Sequence, residues 1–281
     1  MDIHETGRRR MGKGLTVLGA LFLAFTLMIL TGQRAEAQQL QVGCKYLKEL
    51  EADPIFPSSH PHLHQFAGNT GVTATSTLEQ MRSTTSTTCG FKADNSGYWT
   101  PTLYDNGTER QAYFKVSVYA QDFGNTANTV PFPQALGMLS SKVTGQGTQH
   151  FRCGTAPDTL TPPYGCKAAE YRVVYRFPNC WDRSSNGPSS LYMSANGGRA
   201  ECNAGDASFF NMRLAFHYQN TDRILESPLL AAMGDGQRAP VEEVVHADIG
   251  AIFTAAWFDR AKICTTDSTP SVDCQITPSG T

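Results

Sequence analysis

Three stretches of the chain alternate apolar and polar residues with the two-residue period of a half-buried strand. Arg110 to Ala120 carries Tyr113, Val116, Val118 and Tyr119, and Tyr171 to Phe177 is rich in Val and Tyr. Asn211 to Tyr218 sets Met212, Leu214 and Phe216 against Arg213, Ala215 and His217. Between them lie stretches rich in Gly, Pro, Ser, Thr and Asn, which make loops rather than crossover helices. The pattern predicts a mainly β fold with antiparallel pairing, an antiparallel sandwich or jelly roll. Helical signals are few. Ser76 to Arg82 has Thr75 or Ser76 as its N-cap, and Ala251 to Lys262 is apolar enough to pack on a sheet. The Ser/Thr/Pro-rich tail from Thr265 reads as irregular.

The first residues follow another pattern. Arg8-Arg9-Arg10 and Lys13 precede an uncharged apolar run from Leu15 to Leu30, and Ala35-Glu36-Ala37 has the small-x-small form that signal peptidases accept. Residues 1–37 are therefore expected to be a signal peptide, and 38–281 a single secreted β-rich domain without linker or repeat. The rival reading is an uncleaved anchor, because the run is near the short end of what spans a bilayer. A twin-arginine signal is the weaker export route, since Gly12 stands where a large apolar residue is wanted.

Eight cysteines, at 44, 89, 153, 166, 180, 202, 264 and 274, all follow the cleavage point. An even count in an exported chain, with no Cys-x-x-Cys, predicts disulfides rather than zinc ligands. Short loops favour Cys153 with Cys166 and Cys264 with Cys274. Cys180 with Cys202 closes the segment between two strand candidates, which leaves Cys44 with Cys89, but spacing does not fix connectivity. With 25 acidic and 23 basic residues the charge is close to balanced, and nothing suggests a nucleic-acid surface. After signal cleavage no membrane partner is expected.

The candidate chemistry gathers around histidines. His60, His62 and His64 alternate, so in an extended strand they share one face. His62 and His64, joined by His246 and Asp248 from late in the chain, make a candidate catalytic set, with His62, His64 and His246 as ligands for a divalent metal. The plain alternative is that they brace loops by hydrogen bonding. His217 falls on the outward phase of its strand, and His150 has no partner in sequence.

Asp94 with Tyr98, Trp99 and Tyr104 offers a carboxylate beside flat rings, which suits a sugar, although Trp99 and Tyr104 equally describe a buried strand. Asp94 and Asp182 are a conceivable glycosidase pair. Arg172, Arg176 and Lys167 read as solvated. Asn106-Gly107-Thr108 is a glycosylation sequon. No nucleophile elbow, Walker loop, dinucleotide fingerprint or His-Glu-x-x-His helix is present.

Several separated motifs, taken in order, agree with one family. They are Asp53-Pro54-Ile55, His62-Leu63-His64-Gln65-Phe66-Ala67-Gly68-Asn69, Thr87-Thr88-Cys89, Asp94 to Pro101, Leu103-Tyr104, Phe177 to Asp182, and His246-Ala247-Asp248 with Trp257. The chain resembles the secreted fungal and actinobacterial family catalogued as domain of unknown function nineteen ninety-six, over about Cys44 to Cys264. That resemblance implies an exported protein, sometimes joined to carbohydrate-binding cell-wall modules, and implies no particular reaction. Members usually carry a further pair of histidines where this chain reads Asn186 to Tyr192, so any chemistry those histidines do is either lost here or taken over by His60. The combined expectation is an exported protein that acts on or binds extracellular polysaccharide. The alternative is a non-catalytic glycan-binding or structural module of the cell surface.

Overall fold

The computed structural model describes residues 39–57, 62–105, 108–109, 113, 115–121, 129–194, 202–220, 225–267 and 270–278. The chain divides after Ala37, and every element described belongs to Gln38–Thr281. The segment expected to be a signal peptide, with His4, and also His60 and most of the Asn106 sequon lie outside the described residues.

Seventeen strands are formed among the described residues. They are β1 (Gln39–Glu51), β2 (Leu63–Gly68), β3 (Gly97–Pro101), β4 (Leu103–Asp105), β5 (Thr108–Glu109), β6 (Lys115–Gln121), β7 (Leu136–Ser141), β8 (Thr148–Cys153) and β9 (Glu170–Arg176), then β10 (Cys180–Trp181), β11 (Leu191–Tyr192), β12 (Ala207–Ser208), β13 (Asn211–Gln219), β14 (Leu229–Ala232), β15 (Arg238–Pro240), β16 (His246–Ala251) and β17 (Gln275–Ile276). The main ladder runs β7-β16-β3-β2-β1-β6-β13-β9-β8, with β17 beside β1. All its pairings are antiparallel except β1 with β17.

Two features curl this ladder. The first half of β1 pairs with β6 and the second half with β2, with a register break between Tyr46 and Lys48. Such a bulge bends a strand, so β1 serves two sheet faces. The consecutive strands β7 and β8 stand at opposite ends of the order, yet only residues 142–147 join them. The two edges must therefore approach one another, and Ser140 Oγ reaches the Arg176 carbonyl at 2.8 Å. The result is the mainly antiparallel, sandwich-like to barrel-like fold expected from the alternation.

The inner faces meet in an aromatic core. Tyr171 stacks on Tyr218 with centroids 5.0 Å apart, and Tyr113 stands edge-on to Phe216 at 4.8 Å. All eight cysteines are paired, as Cys44–Cys89, Cys153–Cys166, Cys180–Cys202 and Cys264–Cys274.

Helix boundaries differ from expectation. The first helix is Leu78–Met81, capped not by Thr75 or Ser76 but by Thr77, which exchanges hydrogen bonds with Gln80 as a capping box. Ser76 Oγ is already held in a turn by Thr73 N at 2.8 Å. The late helix is Ala255–Thr266, capped by Thr254, because Ala251 ends β16 instead. His217, expected to face outward, is buried against Ser117 at 2.9 Å and Glu170 at 3.3 Å. Side chains on the neighbouring β6 and β9 close over that face of β13.

Candidate metal centre

His64 and His246 are brought together by the order β16-β3-β2. Register places His64 opposite Pro101 and Asp248 opposite Trp99, so continuing the antiparallel count by two residues puts His246 on the same rung as Pro101. Two rungs of about 4.8 Å each separate the two backbones. The imidazoles lean across Pro101 until their Nε2 atoms are 3.1 Å apart.

The other ring nitrogens decide the chemistry. His64 Nδ1 lies 2.8 Å from the Ala52 carbonyl, and His246 Nδ1 lies 3.4 Å from that of Val244. Each Nδ1 thus carries its proton toward an oxygen, and each Nε2 presents a lone pair. Two lone pairs that close repel unless a cation sits between them. Ligand distances of ~2.1 Å at a tetrahedral angle put two nitrogens about 3.4 Å apart, near the observed separation. Donation of the outer ring N–H to a backbone carbonyl is the arrangement that orients a metal-ligating histidine.

His62 completes the group. One ligand atom from each of His62, His64 and His246 lies within 4.8 Å of the others. The His62 and His64 rings are 4.1 Å apart, and those of His62 and His246 5.2 Å. His62 Nε2 is buried without a hydrogen bond, as are both carboxylate oxygens of Asp248, whose Oδ2 stands 3.4 Å from His246 Nε2. Unpartnered buried polar atoms are costly, and these three beside the paired imidazoles suit a cation ligand set.

Burial drives the protonation states. It pushes His246 down to about 4, helped by the His62 charge, and holds His64 well below the usual imidazole range. It lowers His62 as well. All three are neutral at pH 7, the form that binds metal. Asp248 is held well above the ordinary carboxylate range by burial and by the Asp53 charge. A divalent ion would stabilise its anionic form.

The sequence did not single out Asp53 as a site residue, yet it lies in the wall beside the histidines. Its Oδ1 accepts from the Ile55 and Phe56 amides at 3.0 and 3.2 Å. Burial nevertheless raises it, outweighing those bonds. The signal available was the Asp53-Pro54 turn, which by itself reads as structural.

The expected sugar platform is not at the surface. Asp94, Tyr98 and Trp99 are fully buried and Tyr104 is 7% exposed. Tyr98 Oη donates to Asp94, 2.8 Å from either carboxylate oxygen, and Trp99 stacks on Phe66 at 5.4 Å. The Tyr104 ring is covered by the Arg238 guanidinium, 3.5 Å from its centroid. Alternation had two meanings here, and burial on both faces of β3 is the one realised. Asp94 cannot pair with Asp182 either, since Asp182 is exposed and accepts from Ser184 N at 2.8 Å. Asp94 also lies near Cys44 and Cys89, but both sulfurs are in a disulfide and are not free to bind metal.

His150 on β8 and His217 on β13 line neither cleft beside His62. The stretch Asn186 to Tyr192, where further histidines are implied by the resemblance, lies against the β7–β8 connection. Gln146 Nε2 donates to the Pro188 carbonyl at 2.6 Å, and Ser141 at the end of β7 and Thr144 of that connection wall the histidine cleft.

No helix among the described residues is long and apolar enough to cross a membrane. No curated protein and no solved structure matches the chain. A family model does match, over residues 53–251, a span that includes every member of the histidine cluster. The chain belongs to the family described as a domain of unknown function, DUF1996.

Proposed function

We propose that the protein is an exported metalloprotein that acts on extracellular polysaccharide at a centre formed by His62, His64 and His246, with Asp248 as a fourth group. The observation that carries this reading is the 3.1 Å approach of the two Nε2 atoms, each ring having its Nδ1 directed at a backbone carbonyl oxygen. Three neutral imidazoles with a carboxylate suit zinc or copper rather than calcium or magnesium, which prefer oxygen. A bound ion would supply a Lewis acid at this centre. Asp53, in the same wall, is placed to accept a proton from a hydroxyl or water held there. Export is supported by the N-terminal apolar run and by four disulfides, which persist in oxidising surroundings. Polysaccharide is supported by the polar cleft on the far side of His62, lined by Glu51, Asp235, Gln237 and Arg238.

Calorimetric titration of tag-free, chelator-stripped protein with Zn²⁺ and Cu²⁺ at pH 7 tests the centre. Binding of one ion per chain is expected, with His150→Ala unchanged. His62→Ala should weaken it by more than the ~10- to 100-fold that loss of an outer-shell partner costs. Absence of saturable binding removes the metal reading. Pull-down on insoluble wall glycans, followed by product analysis, then separates an enzyme from the alternative. Retention without new products marks a non-catalytic glycan-binding or structural module.

A further inference from the structure

Among the described residues, six large apolar side chains stand exposed, and three of them, Phe56, Val143 and Met233, gather in the cleft that opens on His62 and His246. Leu139 and Val244 extend the same wall, giving a mostly apolar hollow of about 480 Å³. A second hollow of about 580 Å³ lies on the other side, bounded by Glu51, Tyr104, Asp235, Gln237 and Arg238. His62 and Met233 line both, so the two adjoin at the metal centre. Each is within the range that holds a ligand of several hundred daltons, larger than one sugar ring.

The two hollows ask for different chemistry. Exposed apolar residues concentrated at one site mark a binding surface rather than chance. A bare hydroxylated chain would leave that wall unfilled. A lipid would press methylenes on the charged and amide groups of the other hollow, which costs free energy for every group desolvated without a partner. Glu51 and Asp235 outnumber Arg238 there, so a polyanion is disfavoured as well. Building on the metal-centred glycan reading above, we infer that the ligand is a linear saccharide carrying acyl substituents, laid across both hollows. Acyl methyls seat against Val143, Leu139 and Val244, hydroxyls meet Glu51, Asp235 and Gln237, and an acyl carbonyl falls beside His62.

The test is calorimetry of tag-free, zinc-loaded protein with N-acetylchitotetraose, N-acetylchitobiose and cellotetraose, all uncharged. N-acetylchitotetraose is expected to bind at least about tenfold tighter than cellotetraose, which has the same linkage without acyl groups, and tighter than the disaccharide, which cannot reach both hollows. Val143→Ser, at a site 69% exposed and so safe for folding, should weaken the acetylated tetramer about fivefold, the value of one or two methyl-sized contacts, and leave cellotetraose unchanged. Gln237→Ala, in the other hollow, should weaken the tetramer more than the dimer. Equal affinity for acetylated and plain tetramers, or for tetramer and dimer, overturns the inference. The same titrations on metal-free protein keep it apart from the metal reading. Acyl discrimination without zinc binding sinks the latter alone, and zinc binding without acyl discrimination sinks the former.

Discussion

Trp99 offers a flat ring in the sequence, and the fold places that ring in the core. It is fully buried and stacked on Phe66, so Trp99→Ala removes packing and opens a cavity beside Asp53. The expected loss is ~3 to 5 kcal/mol of stability, read by denaturant melts. A variant of unchanged stability that fails only in glycan binding would restore the surface reading. Asp94 carries part of the pH dependence, alongside Asp53 and Asp248, which burial raises in the same sense. Burial raises it from 3.8 to about 7 against the bonds from Tyr98 and Ser96, so the folded state resists its ionisation. Below about pH 4 the carboxyl is protonated in both states and costs nothing; as pH rises through 7 the unfolded chain ionises first and stability falls. Asp94→Asn should lessen that decline between pH 4 and 7, and an unaltered slope would show that Asp94 is not a source of it. His62 with His64, and His246 with Asp248, were legible because spacing by two is a local signal of a shared face. Asp53 and the apolar rim were not, because a turn aspartate and isolated exposed Phe, Val and Met residues carry no period.

The inward phases of β9 and β13 were readable, since Tyr171, Val173 and Tyr175, and Met212, Leu214 and Phe216, recur every second residue, but the opposite face of β13 is covered at Ala215 and His217 and gave no sign of it. The phase of β3 was ambiguous: every residue from Gly97 to Pro101 is buried, and a strand covered on both faces has no outward side to identify. Cap assignment failed by one or two residues because Thr73, Thr75, Ser76 and Thr77 are all competent caps, and only the turn at Ser76 decides among them. At the end of β2, Gly68 takes φ +82°, and a Cβ there would stand 2.1 Å from the Ser96 carbonyl oxygen. Gly68→Ala is therefore expected to cost more than the ~1 to 2 kcal/mol of a left-handed conformation alone, and to loosen the rung that holds His64. Thermal melts and zinc titration should decline together in this variant. A loss of stability with unchanged zinc affinity would uncouple β2 from the site.

No local signal announces that β1 serves two sheet faces or that β16 joins β3 across about half the length of the chain. Those are properties of the curled ladder as a whole, which is why the convergence of His246 on His64 could be expected only as one arrangement among several. The disulfide bridges are unequal as well. Cys44–Cys89 spans 45 residues, tying β1 to the segment ahead of β3, whereas Cys264–Cys274 spans 10 and staples the late helix to the tail. Restricting the unfolded chain gains more for the longer loop, about 4 against about 3 kcal/mol. The paired Cys44→Ala, Cys89→Ala variant should therefore lose more stability than Cys264→Ala, Cys274→Ala. It should also lose zinc affinity, because β1 leads into Ala52, whose carbonyl fixes the His64 tautomer. The tail variant should still bind one zinc per chain, since the tail pairs with β1 only at Gln41 and Val42, far along that strand from Ala52. Denaturant unfolding and zinc calorimetry on the two double variants measure both effects. Equal losses of stability would remove the loop-length argument, and zinc affinity lost equally in both would show that the site depends on the whole cage rather than on β1.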